Sequence, residues 1–338
     1  MIALRSLPAL AVAIALALGG PALAADRLTL ESVNEAAFRP LPKESKDPLP
    51  HLVKLQVLLD RALVSPGEID GRDGENTRKA IDAYARLEKL GGNGDPARDV
   101  FEALSREDGE PVLVRYRITD DDVRGPFVTE IPDKMEEQAG LDRLGYRSPR
   151  EMLAERFHMS EGLLSALNPG TRFDEPGREI VVAAVSPFDP DRKPEIPAEA
   201  DRVTRIAVTK GERRLYAYRA DDSLAAIFPA SIGSTEKPAP EGGATVTAVA
   251  RNPTYTYDPK FAFKGVGADR KFTINPGPNN PVGAVWIDLD VPTYGIHGTP
   301  EPGKVGKSYS HGCIRLTNWD VERLARLVGK GTRVEFLD

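Results

Sequence analysis

Y-G-I-H-G-T-P-E-P-G-K-V-G-K-S-Y-S-H-G-C-I-R-L, from Tyr294 to Leu316, is the stretch that organises the chain. It holds the only cysteine, Cys313, and two of the four histidines, His297 and His311. A thiol attacks as its thiolate, and a nearby imidazole supplies that form by taking the proton. His297 precedes Cys313 by sixteen residues. Val285, Ile287 and Leu289 alternate as in a strand leading to His297, and the Gly-rich run after it predicts a loop that folds back. A strand end and a returning loop can bring imidazole and thiol together. Gly312 lets backbone pass close to a substrate, so the amides of Gly312 and Cys313 can face the oxygen of a tetrahedral intermediate. Beyond them, Thr317 and Asp320 have capping-box spacing, and Val321, Leu324, Ala325 and Val328 mark the buried face of a helix.

Working outward, residues 202–338 read as short strands with one late helix. Val203–Val208, Leu215–Tyr218, Leu224–Ile232, Thr245–Val249, Val282–Leu289 and Thr332–Phe336 are rich in β-formers and separated by turn residues. This predicts a mostly-β, sandwich-like domain with a small helical cap. Residues 252–267 carry Tyr255, Tyr257, Phe261 and Phe263 without periodicity, as a lid over the site would. Residues 186–201, with Pro187, Pro190, Pro194 and Pro197, read as a semi-stiff linker.

S-H-G-C-I-R, preceded by I-H-G-T and by the run Asn275–Gly283, resembles the signature of the YkuD-type L,D-transpeptidase catalytic domain. The resemblance covers Arg202 to Asp338. It implies Cys313 as nucleophile, His297 as base, and the Gly298 carbonyl orienting the ring where other enzymes use a carboxylate. It also implies a tetrapeptide stem of peptidoglycan as substrate, with D-Ala as the leaving group and no cofactor or metal. Some family members carry Asn where this chain has Arg315. Arg315 can hold a stem carboxylate with its planar fork. His311, Ser310 and Tyr294 are further substrate-side candidates. His311 has a second reading as a turn residue that packs and hydrogen-bonds.

Other readings compete. A lone cysteine beside glycines is often a buried small hydrophobe. His297, His311 and Cys313 are all zinc-ligand types, but the chain has no second cysteine and no H-E-x-x-H. The same acyl-enzyme resolved by water gives an L,D-carboxypeptidase or amide hydrolase, and an idle thiol leaves a wall-binding scaffold.

Upstream the chain is multi-domain. Residues 1–24 read as a secretory signal peptide: Arg5, then the apolar run Leu7–Leu18, then Ala22-Leu23-Ala24. That predicts a periplasmic protein with no transmembrane segment in its mature form. Residues 25–48 read as a linker. Residues 49–106 read as three helices, with Leu52, Leu55, Leu58, Leu59 and Ala62 in one stripe and Asp95-Pro96 opening the last helix. With I-D-G-x-x-G-x-x-T-x-x-A-I this resembles a peptidoglycan-binding-like module. Residues 111–185 place a strand, two helices capped by Ser148 and Ser160, and a closing strand; the second half resembles a β-α-α-β LysM module, although Asp120–Arg147 is longer than that repeat. His51 and His158 read as surface residues in polar helices.

Lys and Arg total 45 against 51 Asp and Glu, a net charge of −6 with both signs interspersed. That balance argues against a nucleic-acid partner. The partner classes implied by the resemblances are peptidoglycan stems and glycan strands, with an outer-membrane lipoprotein as a possible acyl acceptor.

Overall fold

The computed structural model describes residues 28–42, 47–92, 94–192, 198–233, 240–261, 268–308 and 312–338. The signal peptide read at residues 1–24 lies outside these, as do Phe263, Ser310 and His311. A short helix α1 (Leu30–Asn34) starts from a Thr29 capping box and buries Val33 within the stretch read as linker. Three helices follow: α2 (Pro50–Arg61), α3 (Glu75–Leu87) and α4 (Pro96–Glu107). The Asp95 side chain accepts from Arg98 N at the start of α4, with Pro96 in its first turn.

The second unit pairs β1 (Leu113–Arg117) antiparallel with β2 (Glu179–Ala183). Between them lie α5 (Asp120–Arg124), α6 (Met135–Gln138), α7 (Pro149–Arg156) and α8 (Glu161–Leu167). Ser148 and Ser160 cap α7 and α8 through the amides of Glu151 and Leu163. Leu58, Val100 and Leu104 of the first unit share one apolar core with Leu153, Leu164 and Val182 of the second. Shared burial of this kind makes the two units one packed body.

The C-terminal region is not a sandwich. Its strands are β3 (Val203–Thr209), β4 (Arg214–Arg219), β5 (Leu224–Pro229), β6 (Gly242–Arg251), β9 (Val285–Leu289), β10 (Gly295–His297), β11 (Ile314–Arg315) and β12 (Arg333–Leu337). They form one eight-stranded sheet in the order β11-β10-β9-β6-β12-β3-β4-β5. The sheet curls until its ends meet: Ser231, just past β5, pairs with Arg315 of β11 through two backbone hydrogen bonds of 2.9 Å. Period-two alternation reveals strands and their faces but not whether they share one sheet, which is why two layers were expected. The helix α9 (Asn318–Leu327) starts at Thr317, whose side chain accepts from Asp320 N, and buries Val321, Leu324 and Ala325. A separate hairpin, β7 (Tyr255–Tyr257) with β8 (Phe272–Ile274), stands beside this sheet.

The N-terminal units pack on this sheet. Val64 bridges Ile227 on the β5 edge, with Ser65 N donating to Ile227 O at 2.9 Å and Ile227 N to Leu63 O at 2.8 Å. That pairing covers an edge otherwise open to other chains. Phe188 is buried in the core of this sheet, so the Pro-rich segment is anchored near its start.

Behind α9 lies a buried charge cluster. Arg323 Nη1 donates to both Asp60 oxygens at 2.8 and 2.7 Å, and His158 Nδ1 lies 2.8 Å from Asp60 Oδ1. Burial alone would raise the Asp60 carboxyl, but Arg323 and His158 outweigh it and hold it below the usual range. Both histidines expected at the surface are buried: His51 is 6% exposed and His158 1%. His158 is inside because its ring stacks on Trp319 with centroids 5.2 Å apart while its nitrogen meets Asp60. The Asp60→Ala substitution strands Arg323 without its counter-charge, so urea unfolding should show a loss of about 3–5 kcal/mol.

Candidate active site

Three adjoining strands build the site. On β10, His297 stands opposite Trp286 of β9 and opposite Arg315 of β11. Side chains alternate along a strand, so Trp286, His297 and Arg315 share one face while Ile296 and Ile314 turn into the core. Cys313 immediately precedes β11, outside the strand, and packs partly against the apolar core of the sheet. The Cys313 thiol, partly exposed, lies 3.6 Å from the Thr293 carbonyl oxygen.

Packing fixes the imidazole. The Trp286 and His297 rings stack with centroids 5.5 Å apart. Gly295 makes room for that indole: a Cβ there would sit 2.6 Å from Trp286 Cζ2. His297 Nδ1 lies 2.6 Å from the Gly298 carbonyl oxygen. A carbonyl only accepts, so Nδ1 carries the hydrogen and Nε2 presents a lone pair. Burial, then the Arg315 charge, pushes the His297 pKa down to about 3 against the Gly298 contact, which raises it. The ring is neutral at ordinary pH, a proton acceptor at Nε2.

Arg315 is half-buried, and its guanidinium pKa is lowered by burial against the charges of Glu301 and Cys313, which raise it. Its Nε has no hydrogen-bond partner among the described residues. Tyr294 is buried with its hydroxyl unpartnered there, and its ring meets Phe336 edge-on. Burial and then the charge of Cys313 push its phenol up. An unpaired guanidinium nitrogen beside the thiol suits an anionic ligand, since a buried polar group without a partner is costly. Gly312 has a φ of +129°, where a Cβ would be strained, and its amide precedes that of Cys313. Of the lid aromatics, Tyr255 is partly buried, and its phenol is raised to about 12 by burial and then by Cys313.

Residues 203–336 match the family model of the YkuD L,D-transpeptidase catalytic domain. YkuD of Bacillus licheniformis, named as an L,D-transpeptidase, is 32% identical over 186 residues, covering 54% of this chain and 90% of that protein. This chain belongs to the L,D-transpeptidase family. YbiS of Escherichia coli (strain K12), also named as an L,D-transpeptidase, is 30% identical over 200 residues, covering 57% of this chain but 61% of YbiS. L,D-transpeptidase 3 from Mycobacterium tuberculosis aligns with a TM-score of 0.34 and 18% identity, covering 40% of this chain and 61% of that one. The assignment rests on the YkuD relative.

Sequence reasoning missed a residue of this L,D-transpeptidase site. Asn318 is fully buried, and its Oδ1 accepts from Ala284 N at 3.0 Å. Its amide fills the space beside Gly283 and Gly298, where a Cβ on either glycine would come within 2.2 Å of Oδ1. The signal was present as an Asn directly after the Thr317 cap, but in sequence it reads only as the first residue of a helix. Trp286 was read as one more strand residue.

The electrostatics predict a pH response. Removing the Arg315 charge takes away a depressing influence, so R315Q should raise the His297 pKa. The acid limb of kcat/KM, expected near pH 3, should move upward in R315Q. Rate profiles from pH 3 to 7 measure the shift.

Proposed function

We propose that this chain is a peptidoglycan L,D-transpeptidase with Cys313 as nucleophile and His297 as base. Family membership, the neutral, oriented imidazole, and Arg315, which stands opposite His297 and two residues past Cys313, support the reading. The substrate is a tetrapeptide stem whose third residue is a diamino acid and whose fourth is D-Ala. As Cys313 Sγ attacks the carbonyl between them, its proton passes to His297 Nε2. The C–S bond forms and the carbonyl electrons move to oxygen, which the Gly312 and Cys313 amides receive. One such donor contributes about 3 kcal/mol. The tetrahedral intermediate collapses, the C–N bond breaks, and D-Ala leaves with the proton from the imidazolium. An acceptor amine then attacks the thioester, gives its proton to His297, and displaces the sulfur.

The depressed His297 pKa argues against a standing imidazolium–thiolate pair. It favours proton transfer in step with attack, when negative charge builds beside the ring. Arg315 holds a stem carboxylate, and Tyr294 lines its pocket. Ser310 and His311 lie outside the described residues and keep their role as substrate-side candidates. The lid reading stands on Tyr255. The two N-terminal units, of peptidoglycan-binding-like and LysM-like character, hold the enzyme on its polymer and raise the local stem concentration. Export by residues 1–24 puts the protein in the periplasm. No helix among the described residues is long and apolar enough to cross a membrane. The acceptor is an amine of another stem or of an outer-membrane lipoprotein.

The test uses disaccharide-tetrapeptides with and without an acceptor amine. The full chain should release D-Ala and form dimers linked between diamino acids. Trimmed stems alone would make it a hydrolase. Cys313→Ala should abolish turnover while sedimentation with sacculi persists, and intact-mass analysis with a carbapenem should show one adduct on the parent chain and none on C313A.

A further inference from the structure

The base is held from outside its own domain. Gly298, whose carbonyl orients the His297 ring, has its Cα against the side chain of Asn318. Asn318 is itself oriented by three partners. Its Oδ1 accepts from Ala284 N at 3.0 Å, and its Nδ2 donates to Pro278 O at 3.1 Å and to Glu155 Oε2 at 3.1 Å. Glu155 belongs to α7, in the unit before the catalytic sheet, and is 5% exposed. Tyr146 of that unit places its hydroxyl 3.4 Å from Glu155 Oε2.

We infer that Glu155 is a positioning residue of the catalytic site, fixing the Asn318 amide and through it the Gly298 carbonyl that holds His297. This rests on the reading of His297 as the base. An amide has two rotamers that exchange its oxygen and nitrogen. The Glu155 acceptor, with the Pro278 carbonyl, selects the one that aims Oδ1 at Ala284 N. Without Glu155 the amide loses one of its two acceptors and can turn, and the Gly283 and Gly298 backbones lose the wall against which they are seated. A displacement of the base by a fraction of an ångström is enough to slow proton transfer. Burial, chiefly, raises the Glu155 pKa to about 8, so the acid is neutral at ordinary pH, and a neutral amide can replace it there. On this inference the second unit is part of the catalytic apparatus as well as an anchor.

The experiment measures kcat and KM of the full chain for D-Ala release, with thermal melts of each variant. Glu155→Leu keeps volume and removes the acceptor. It should lower kcat by about 10–100-fold with KM changed less than about threefold. Glu155→Gln restores an acceptor oxygen and should bring kcat to within about threefold of the parent. Should E155L fail to fold, Glu155→Asp shortens the arm by one methylene, draws the acceptor out of reach, and should show the same kcat-selective loss. Parent-like kcat in E155L or E155D, or an E155Q as slow as E155L, overturns the inference. A parent chain that neither releases D-Ala nor takes a carbapenem adduct overturns the transpeptidase reading, and this inference with it.

Discussion

The hydrogen bond from His297 Nδ1 to the Gly298 carbonyl, at 2.6 Å, is the constraint on which the chemistry depends. A carboxylate in that place would orient the ring and also stabilise its positive form. A carbonyl brings only a dipole, so it orients the ring and raises its pKa less than burial and Arg315 lower it. Burial then decides the protonation state, and Arg315 pushes it the same way. The outcome is a ring fixed in one tautomer and neutral until negative charge develops nearby. The surrounding packing keeps that carbonyl in place: the indole against the imidazole, and the Asn318 amide against two glycines.

The two N-terminal units, joined by one apolar core, meet the C-terminal sheet through several buried polar groups. Ser65 Oγ donates to Asp320 Oδ2 at 2.8 Å, Arg214 Nη2 to Asn76 O at 2.7 Å, and Asn279 Nδ2 to Gly145 O at 2.9 Å. Burial raises the Asp320 carboxyl to about 7, although the Arg323 charge lowers it. Contacts of this kind add modest net stability, but separating the units would leave each group buried and unpaired or force it to rehydrate. They therefore specify one docked arrangement. Apolar surfaces of the same area would tolerate sliding.

Local features were legible in the sequence because their causes are local. The capped start at Thr317, the Asp95-Pro96 helix start, and the Ser148 and Ser160 caps each depend on residues within one turn. His297 and Cys313 stood out as candidates because the chain has one thiol and few histidines, two of them in the same stretch. What escaped depends on partners far along the chain. Glu155 lies 163 residues from Asn318, and Asp60 lies 263 from Arg323. Nothing in either neighbourhood sets such a residue apart from a solvated helix face, so His158 passed for a surface residue. The excess length of Asp120–Arg147 was visible, but its use was not. There α6 packs on β8, and Leu144 N donates to Pro276 O at 2.9 Å.

The curl of the sheet explains why both N-terminal units reach the site. Closure at Ser231 and Arg315 ties the backbone of β11 to the far end of the sheet. Ser231 also accepts Gly306 N at 3.1 Å, which anchors the loop between base and nucleophile. Asn76 of the first unit grips that loop by donating to Val305 O at 2.8 Å, and it crowds Gly306, where a Cβ would be 2.4 Å from Asn76 Oδ1. Gly306 has a φ of +72°, so the loop needs glycine there for both backbone and space. The first unit thus braces the loop that leads to Cys313, and the second braces the backbone behind His297. Strands β10 and β11, of three and two residues, have little stiffness of their own. The backbone around Gly306 and behind His297 is therefore held in part by Asn76 and Glu155, from segments that precede the sheet.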